Sequence, residues 1–568
     1  MLTKGFLKKK YNQLAICTFL GWLVSLVGDL SDSILAGLFI SEEAVSAVEL
    51  VNPIFGIVFF LSAFISAGGN VLYSRAAGEF DKEKCRRVAG TCVVLSVLSG
   101  VIMLLVMWLM EDVYFKFYSA TAEIETLARS YYECFFILVI VYPVYYAIYY
   151  LICADGDSGL LLIVDIVNAI GNAALSLILV QNHGIAGLAW GTIGATVLSV
   201  LIMLIHFVKK SNGIHFKLCL QGSYVVQMFA IGSSASLNYL YLAVVDIVMN
   251  KAIITMFGAR YLPAYAVVNL ILNFEGCFSS GIGGASSFIS ISYGEGNPVG
   301  QKKSCDYAAK TTLILGVALC VLAELMAEAI PGFYGISDPE IFAASVYTSR
   351  VLGFSYLFGC VVVALGDYYS RINKVFLGNV MVAINMLIAP LVCALPLAKA
   401  FGYKGLVWGF FLPVVLALLF NFVYVWFKYG IKKFPYILPD TDDAIFIHEL
   451  ALESEQIHEL TGITKAELES CNVDEDLINK ILLVMEDTFM LVRDKNKKSV
   501  LADSTLLVND ERIQLITRDA GLIFDITDTD ADISSFREYV VARLMTAGQE
   551  NIYLTTTSFN RNSYIWKR

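Results

Sequence analysis

The chain has 568 residues, of which 57% are hydrophobic and only 16% are charged. No soluble globular protein of this length sustains that balance, so we expect a membrane protein with many spans. The net charge of −10 comes from the last part of the chain, where 24 acidic and 13 basic residues follow residue 440, and this excludes a basic nucleic-acid-binding surface there.

Twelve apolar stretches are each long enough to cross about 30 Å of hydrocarbon as a helix. Six lie in each half of the membrane part, at residues 14–38, 45–72, 88–110, 130–153, 159–181, 185–208, 224–249, 261–292, 308–330, 343–366, 375–398 and 405–428.

Basic residues between the stretches predict the orientation. Lys4, Lys8, Lys9 and Lys10 resemble the start of a signal peptide, but the run that follows is too long and lacks a small-residue cleavage site, so we interpret it as a span. With the N-terminus inside, about 20 basic residues fall on the cytosolic side and about 7 on the other. We expect a multi-pass protein of the plasma (cell) membrane with both termini in the cytoplasm.

Two motifs occur twice. Residues 68–87 return at 284–303, and in both copies an apolar, glycine-bearing segment ends in Gly-Glu, with a basic pair seven residues after the Glu. The pattern GxxGLxWG at residues 184–191 returns at 402–409. Two motifs repeated at nearly the same offset indicate a duplication into two like-oriented lobes, an arrangement typical of secondary transporters.

This organisation predicts an all-α polytopic domain of twelve transmembrane helices in two six-helix lobes, followed by a small cytosolic α/β domain. We define lobe 1 as residues 1–215, lobe 2 as residues 216–435 and the tail as residues 441–568.

Ionisable residues inside the spans are candidates for function, because each costs at least about 2.5–3.5 kcal/mol at the bilayer centre unless it has a partner or a hydrated cavity. In lobe 1, Asp29 and Asp32 lie three residues apart on one helix face and could share a proton or a sodium ion; alternatively they form a polar helix end. Asp165, Asn168 and Asn172 form a polar stripe one helical turn apart, which could be a cation-coordinating wall.

Lobe 2 has its own polar candidates, Asp246 in the seventh span and Glu275 in the eighth. Asp246 could instead pair with Lys251, a structural role.

The segments "SDSILAGLFISEEAVSAVELVNP" at 31–53 and "NVLYSRAAGEFD" at 70–81, together with the repeated Gly-Glu turns, resemble the multidrug and toxic compound extrusion (MATE) family of secondary transporters. The resemblance covers residues 10–430. It implies that Asp32 occupies the place of the acidic residue that takes part in cation or proton coupling.

Two positions depart from the family pattern. Many relatives have an aspartate four residues after the asparagine of span five, but here Ser176 follows Asn172. The branch with a cation site in the second half has an acidic residue in span ten, where this chain has Phe354 and Ser355. A sodium site in lobe 2 would therefore have to use Asp246 or Glu275.

Tyrosines crowd the fourth span, with two more in the seventh. Aromatic rings can hold flat or cationic compounds by stacking and cation–π contact, but the same rings can serve as core or interface residues. The residues are Tyr142, Tyr145, Tyr146, Tyr149, Tyr150, Tyr239 and Tyr241.

The tail is predicted to begin with helices at about 444–470 and 474–494, followed by the strands "SVLADSTLLV", "RIQLITRDAGLIFDI" and "NIYLTTTSF". It resembles the histidine-kinase-like ATPase superfamily, especially its anti-sigma-factor kinase branch. That resemblance implies a nucleotide-binding remnant: Asp519 and Gly521 in an Asp-x-Gly that would read adenine, and Glu486 on the preceding helix.

The rest of the ATP-binding apparatus is missing from this sequence. Met490 and Leu491 stand where the family has its magnesium-binding asparagine, and the expected glycine-rich lid has only Gly548. Without these parts phosphoryl transfer lacks charge neutralisation. The tail could still bind nucleotide without chemistry, or regulate the protein through contacts with a cytosolic protein partner.

We therefore expect a transporter and not an enzyme: an antiporter that exports small organic, cationic or amphipathic compounds in exchange for protons or sodium ions. No Walker-type phosphate loop is present, so an ion gradient would drive transport. The twelve cysteines include no CxxC pair, and we expect no metal site, no cofactor and no nucleic-acid partner. Alternatives are a membrane sensor that signals through the tail, or a lipid-linked precursor flippase, which would prefer a basic cavity.

Overall fold

The computed structural model describes residues 2, 5–29, 31–118, 122–283, 287–333, 336–496, 498–523, 525, 541, 550–556 and 558–568. The chain is mostly helical up to residue 433. They are α1 (Phe6–Asp29), α2 (Ser31–Phe39), α3 (Glu42–Gly78), α4 (Lys82–Tyr118), α5 (Ala122–Asp155), α6 (Ser158–His183), α7 (Ile185–Val208), α8 (Gly222–Phe257), α9 (Leu262–Gly283), α10 (Ser287–Gly294), α11 (Pro298–Met326), α12 (Ile330–Phe333), α13 (Pro339–Gly353), α14 (Tyr356–Arg371), α15 (Val375–Ala383) and α16 (Leu395–Tyr429), with 3-10 turns at Ala259–Tyr261 and Ile431–Lys433.

Within the described residues, eight helical stretches are long and apolar enough to cross a membrane, and nine if α13 and α14, bent by 51°, form one broken span. One of the eight, Val375–Tyr429, bends at Gly402, which has non-helical dihedral angles. A polytopic helical protein is thus confirmed, whereas the count of twelve spans is confirmed only in part.

The duplication is visible in the backbone. Gly184 (φ 58°, ψ −139°) ends α6, and Gly402 (φ 65°, ψ −152°), 218 positions later, makes the same break. Earlier in the repeat, Gly156 and Asn373 both have positive φ, 217 positions apart. Lobe 2 therefore has one extra residue between these points, and its helix becomes π-helical between residues 384 and 394. A π turn absorbs such an insertion without ending the helix.

The two Gly-Glu turns begin the next helices in the same way. Asp81 caps α4 by accepting a hydrogen bond from the backbone N–H of Lys84 (2.8 Å), and Asn297 caps α11 by accepting one from Gly300 (2.8 Å). Side-chain caps of this kind satisfy backbone donors at a helix start. The repeated sequence thus produces the same local structure twice.

The glycines of these turns lie against each other, at what we call the turn end of the membrane domain. A Cβ at Gly78 would lie 2.2 Å from the carbonyl oxygen of Ile291, and a Cβ at Gly294 would lie 2.2 Å from that of Arg75. The Arg75 guanidinium also donates to the Arg371 carbonyl at 2.6 Å and 2.9 Å. The two lobes are therefore in close contact at the turn end.

The tail folds as an α/β unit whose two helices cover one face of an antiparallel sheet of order β1-β2-β3-β5-β4. Its elements are β1 (Ala444–Ala451), α17 (Ser454–Ser470), α18 (Glu475–Lys495), β2 (Leu501–Val508), β3 (Arg512–Asp519), β4 (Glu550–Thr555) and β5 (Asn560–Lys567).

The predicted helix at 444–470 is wrong in its first part, because residues 444–451 form β1 and pair with β2. Alternate side chains of this strand, including Phe446 and Leu450, pack into the tail core, a pattern with period two that the helical prediction overlooked. Strand β5 was not predicted, because buried Arg561 and Asn562 interrupt its apolar alternation. Gly548, which the sequence assigns to the expected glycine-rich lid, lies outside the described residues.

Candidate functional site

Asp32 is the centre of a polar cluster in lobe 1. It lies in the first turn of α2, directly after α1 ends. Its Oδ2 accepts hydrogen bonds from the hydroxyls of Tyr131 on α5 and Thr192 on α7, each at 3.0 Å. The Ser176 hydroxyl on α6 lies 3.4 Å from Oδ1. Three helices, α5, α6 and α7, therefore place hydroxyl groups around the carboxylate that α2 carries.

Asn172 joins the same cluster. Its Oδ1 lies 3.0 Å from the hydroxyl of Ser176 and 3.0 Å from that of Thr192. The structure thus brings Asp32 and Asn172 together, and Ser176, which departs from the family pattern, bridges them. The side chain of Asp29 lies outside the described part of the chain.

Asp165 forms a separate polar contact on α6. It is 8% exposed and accepts a hydrogen bond from Tyr149 at 3.0 Å. Gly21 on α1 leaves space for it, since a Cβ there would lie 2.1 Å from Asp165 Oδ2. Asn168 instead donates to Ser199 on α7 at 3.2 Å. The three residues of the predicted polar stripe therefore have different hydrogen-bond partners, and Asn172 alone of the three is described in the Asp32 cluster.

Lobe 2 holds a second polar constellation around one internal cavity. Asp246 accepts a hydrogen bond from Tyr265 at 2.8 Å, and no ion pair found among the described residues joins it to Lys251. Asn269, Glu275 and Asn385 line the same cavity as Asp246 and Tyr265.

Glu275 is almost fully buried, with 1% of its surface exposed. Its Oε1 accepts a hydrogen bond from Ser355 at 3.1 Å, and its Oε2 has no hydrogen-bond partner among the described residues. Gly359 makes room for the carboxylate, because a Cβ there would lie 2.8 Å from Oε1. Ser355, one of the two residues that stand where an acidic residue of span ten was expected, thus donates a hydrogen bond to the acidic residue of α9.

Sequence reasoning missed several members of these clusters. Thr192 stands in an apolar run, and Tyr131 is one of two adjacent tyrosines at the start of a span, so neither hydroxyl gives a clear signal. Asn385 could have been found, since it lies 217 positions after Asn168 and the repeat offset at the start of that helix is 217.

The tyrosines of α5 meet aromatic residues of both lobes. The Phe59 ring lies 5.6 Å from those of Tyr142 and Tyr146, and stacks at 6.2 Å on Tyr239 of α8. These rings therefore form a contiguous aromatic patch between the lobes.

The nucleotide-remnant residues of the tail are engaged internally. Asp519 is 2% exposed, and its Oδ1 accepts from the Asn560 amide at 3.0 Å and from the Gly521 backbone at 2.9 Å. A side chain at Gly521 would meet Asn496 at 2.7 Å. Glu486 lies half-buried on α18.

The positions of the missing magnesium ligand are apolar and buried. Met490 and Leu491 lie in the tail core, with 9% and 4% of their surfaces exposed.

A model of the MatE family matches residues 18–178 of this chain and again residues 234–395. The second match begins 216 positions after the first, the offset of the repeated Gly-Glu turns.

Curated relatives include the probable multidrug resistance protein YoeA of Bacillus subtilis, 21% identical over 59% of this chain and 74% of that protein. The multidrug export protein MepA of Staphylococcus saprophyticus is 20% identical over 73% of this chain and 93% of that protein.

Among solved structures, an outward-facing multidrug resistance MATE family transporter of the MOP superfamily is 21% identical and superimposes with a TM-score of 0.69. A MATE structure in complex with MaL6 gives the same TM-score at 20% identity. Each superposition includes the whole of the solved chain and 76% of this chain. About a quarter of this chain therefore has no counterpart in these two structures.

Proposed function

Because the chain belongs to the MatE family and is a multidrug efflux transporter of the MATE type, we propose that it is a secondary antiporter. It exports small organic, cationic or amphipathic compounds in exchange for protons or sodium ions, by alternating access of lobe 1 and lobe 2. It is a transporter and not an enzyme.

One observation carries the proposal: the cluster of oxygen atoms around Asp32. A carboxylate, the Asn172 amide oxygen and the hydroxyls of Tyr131, Ser176 and Thr192 converge there within hydrogen-bond distance. Oxygen ligands of this kind suit hard cations, and a carboxylate can also take up and release a proton. The site can therefore exchange a proton or a sodium ion as the two lobes alternate between the two sides of the membrane.

The cavity of lobe 2 is a second candidate for ion binding. Asp246 and Glu275 line it together, and no hydrogen-bond partner for Glu275 Oε2 lies within the part of the chain that the structure describes. The aromatic patch around Phe59 lies between the lobes and offers stacking surfaces for a flat or cationic substrate.

The excess of basic residues supports an orientation in which the turn end and both termini face the cytoplasm of a cell whose plasma membrane holds the protein. In this orientation the tail is cytosolic.

For the tail we favour regulation over nucleotide chemistry. Asp519 already accepts two hydrogen bonds from its own domain, and Met490 and Leu491 fill the place of a magnesium ligand with apolar side chains. Calorimetric titration of the full-length protein with ATP and magnesium should show no magnesium-dependent hydrolysis; hydrolysis would overturn this assignment.

Flux in proteoliposomes tests the antiporter. Purified protein is reconstituted, a proton or a sodium gradient is imposed, and movement of a fluorescent organic cation is followed. Flux should appear with at least one gradient and vanish when that gradient is collapsed. Absence of flux with both gradients, while the cation still binds, would contradict the proposal and favour a membrane sensor.

A further inference from the structure

One face of the tail sheet is incomplete without the membrane domain. Alternation along β3 and β5 points Leu515 and Tyr564 into the core beneath the tail helices, whereas Arg518 and Arg561 point to the opposite face. These two arginines are directly opposite each other in the strand pairing. Like charges in that position repel, and here both are buried, so they require a counter-charge.

The counter-charge comes from lobe 2. Glu295, in the second Gly-Glu turn, accepts a hydrogen bond from Arg561 at 2.7 Å, and its carboxylate lies 3.7 Å from Arg518. The side chains of Arg561 and Glu295 are fully buried. Within the tail, Asp503 pairs with Arg518 at 2.8 Å. The membrane domain thus supplies the second carboxylate of a four-residue charge cluster.

Arg561 also holds the first Gly-Glu turn. Its other terminal nitrogen donates to the carbonyl of Ala77 at 2.7 Å, and its guanidinium carbon lies 4.3 Å from the centre of the Phe80 ring. Ala77 and Phe80 flank Gly78 in lobe 1, and Glu295 follows Gly294 in lobe 2. One side chain of the tail therefore joins both copies of the repeated motif.

Two more tail residues bridge the lobes. Glu449 on β1 accepts from the backbone of Gly5 in lobe 1 at 2.6 Å and pairs with Lys303 in lobe 2 at 3.3 Å.

Phe559, before β5, packs its ring 6.0 Å from Phe6 of lobe 1 and stacks 5.6 Å from Phe288 of lobe 2. Three contacts of different chemistry thus attach the tail to both lobes. Arg561 joins the two Gly-Glu turns, whereas Phe6 lies in one buried cluster with Phe288 of lobe 2.

We propose that the tail is an intramolecular latch, which docks across both Gly-Glu turns through Arg561, Glu449 and Phe559 and holds the turn end of the transporter closed. Alternating access, on which this step rests, requires the lobes to part at the turn end. Parting them separates Ala77 from Glu295, so Arg561 must release one of the two, and a buried charge or carbonyl loses its partner. Undocking of the tail would remove that resistance and permit opening.

Distances between the lobes test the latch without any transport. Arg86 and Lys302 are exposed equivalents in the two copies, on α4 and α11. Genetically encoded spin labels at these two positions avoid labelling the native cysteines. Pulsed electron–electron double resonance on the protein in nanodiscs then gives the distribution of distances between the two labels. We expect one short-distance population in the parent protein. In Arg561→Gln, the ratio of separated to closed molecules should rise roughly tenfold or more, as loss of a buried charge pair predicts.

Two further variants keep the result interpretable. Glu295→Gln removes the charge from the membrane-domain side and should produce the same shift, so it decides the matter if Arg561→Gln does not fold. Arg493→Gln is the matched control, because Arg493 lies on α18 and pairs with Asp494 inside the tail. Unchanged distances in a folded Arg561→Gln or Glu295→Gln, or an equal shift in Arg493→Gln, would overturn the latch.

The measurement also separates the latch from the proposed function. It needs neither substrate nor an ion gradient, so a protein that opens in Arg561→Gln but shows no flux would retain the latch and lose the antiporter. Normal flux together with unchanged distances in Arg561→Gln would support the antiporter and contradict the latch.

Discussion

Asp32 in lobe 1 and Glu275 in lobe 2 are carboxylates within the helix bundle of a duplicated protein, yet they have very different surroundings. Asp32 has hydroxyl groups from Tyr131, Ser176 and Thr192 within reach. Among the described residues, Glu275 has one hydroxyl donor, Ser355, and one oxygen without a partner. The glycines of the two turns, by contrast, pack in the same way in both lobes. Duplication has preserved the frame and let the polar sites diverge.

The largest expected effect tests whether ion coupling belongs to lobe 1. Asp32→Asn keeps the shape of the side chain and removes its charge, so ion-driven flux in proteoliposomes should fall to background. Asp246→Asn, the matched control in lobe 2, should retain most of the flux. Equal loss of flux in both variants would mean that both lobes take part in ion coupling, and would contradict the divergence of their polar sites.

The glycines should behave symmetrically. Replacing either Gly78 or Gly294 with Ala puts a Cβ about 2.2 Å from a backbone oxygen of the other lobe, so the turn end cannot close in its present geometry. Both variants should move the label distance between Arg86 and Lys302 to longer values by a similar amount.

Gly462→Ala is a suitable control, because no atom of the described residues lies within 4 Å of the position that its Cβ would take. A shift in only one of the two turn variants would show that the frame, too, has diverged.

The symmetric frame could be predicted from the sequence because its signals are local. Gly-Glu turns, caps and the GxxGLxWG pattern each depend on neighbouring residues and recur at a nearly constant offset. The carboxylates were equally visible, since an Asp or Glu in an apolar run stands out. Their partners were not, because a lone Thr192 or Tyr131 is compatible with many packing arrangements. Only the three-dimensional packing shows which helices contact Asp32.

The docking of the tail was hidden for a different reason. Arg518 and Arg561 look like solvent-facing strand residues, and the sequence gives no sign that Glu295, 266 positions before Arg561, lies between them. Contacts between elements so far apart in the chain depend on how two separately folded units meet. The helical prediction for residues 444–451 failed for a different reason: the alternation of apolar side chains in β1, including Phe446 and Leu450, is a local signal that was overlooked.

Asp519 extends the comparison to a carboxylate outside the membrane, where titration can be followed. Burial raises its pKa from 3.8 to about 6, although hydrogen bonds from Asn560 and Gly521 and the nearby charge of Lys10 oppose the shift. The folded state therefore binds the proton more tightly than the unfolded state, and this group adds stability as the pH falls from about 7 towards 4.

Asp519→Asn should consequently protect β3 from hydrogen exchange more than the parent residue does at pH 7.5, and the difference should shrink at pH 5. Two pKa units correspond to about 3 kcal/mol at most, and local opening will report only part of it. Hydrogen-exchange mass spectrometry of the full-length protein measures this. A difference that does not depend on pH would mean that hydrogen bonding, and not burial of charge, controls this carboxylate.

The smallest effect compares single hydroxyls in the two lobes. Ser355→Ala leaves the buried Glu275 without a hydroxyl donor, and a hydrogen bond to a charged group contributes about 1.5–3 kcal/mol. Thr192→Val removes only one of the hydroxyls near Asp32, where Tyr131 and Ser176 remain, so its cost should be about 1 kcal/mol. Thermal unfolding of the purified protein in detergent should therefore begin at a lower temperature in Ser355→Ala than in Thr192→Val. The reverse order would mean that the hydroxyl cluster of lobe 1 acts as one unit, in which loss of any donor disrupts the others.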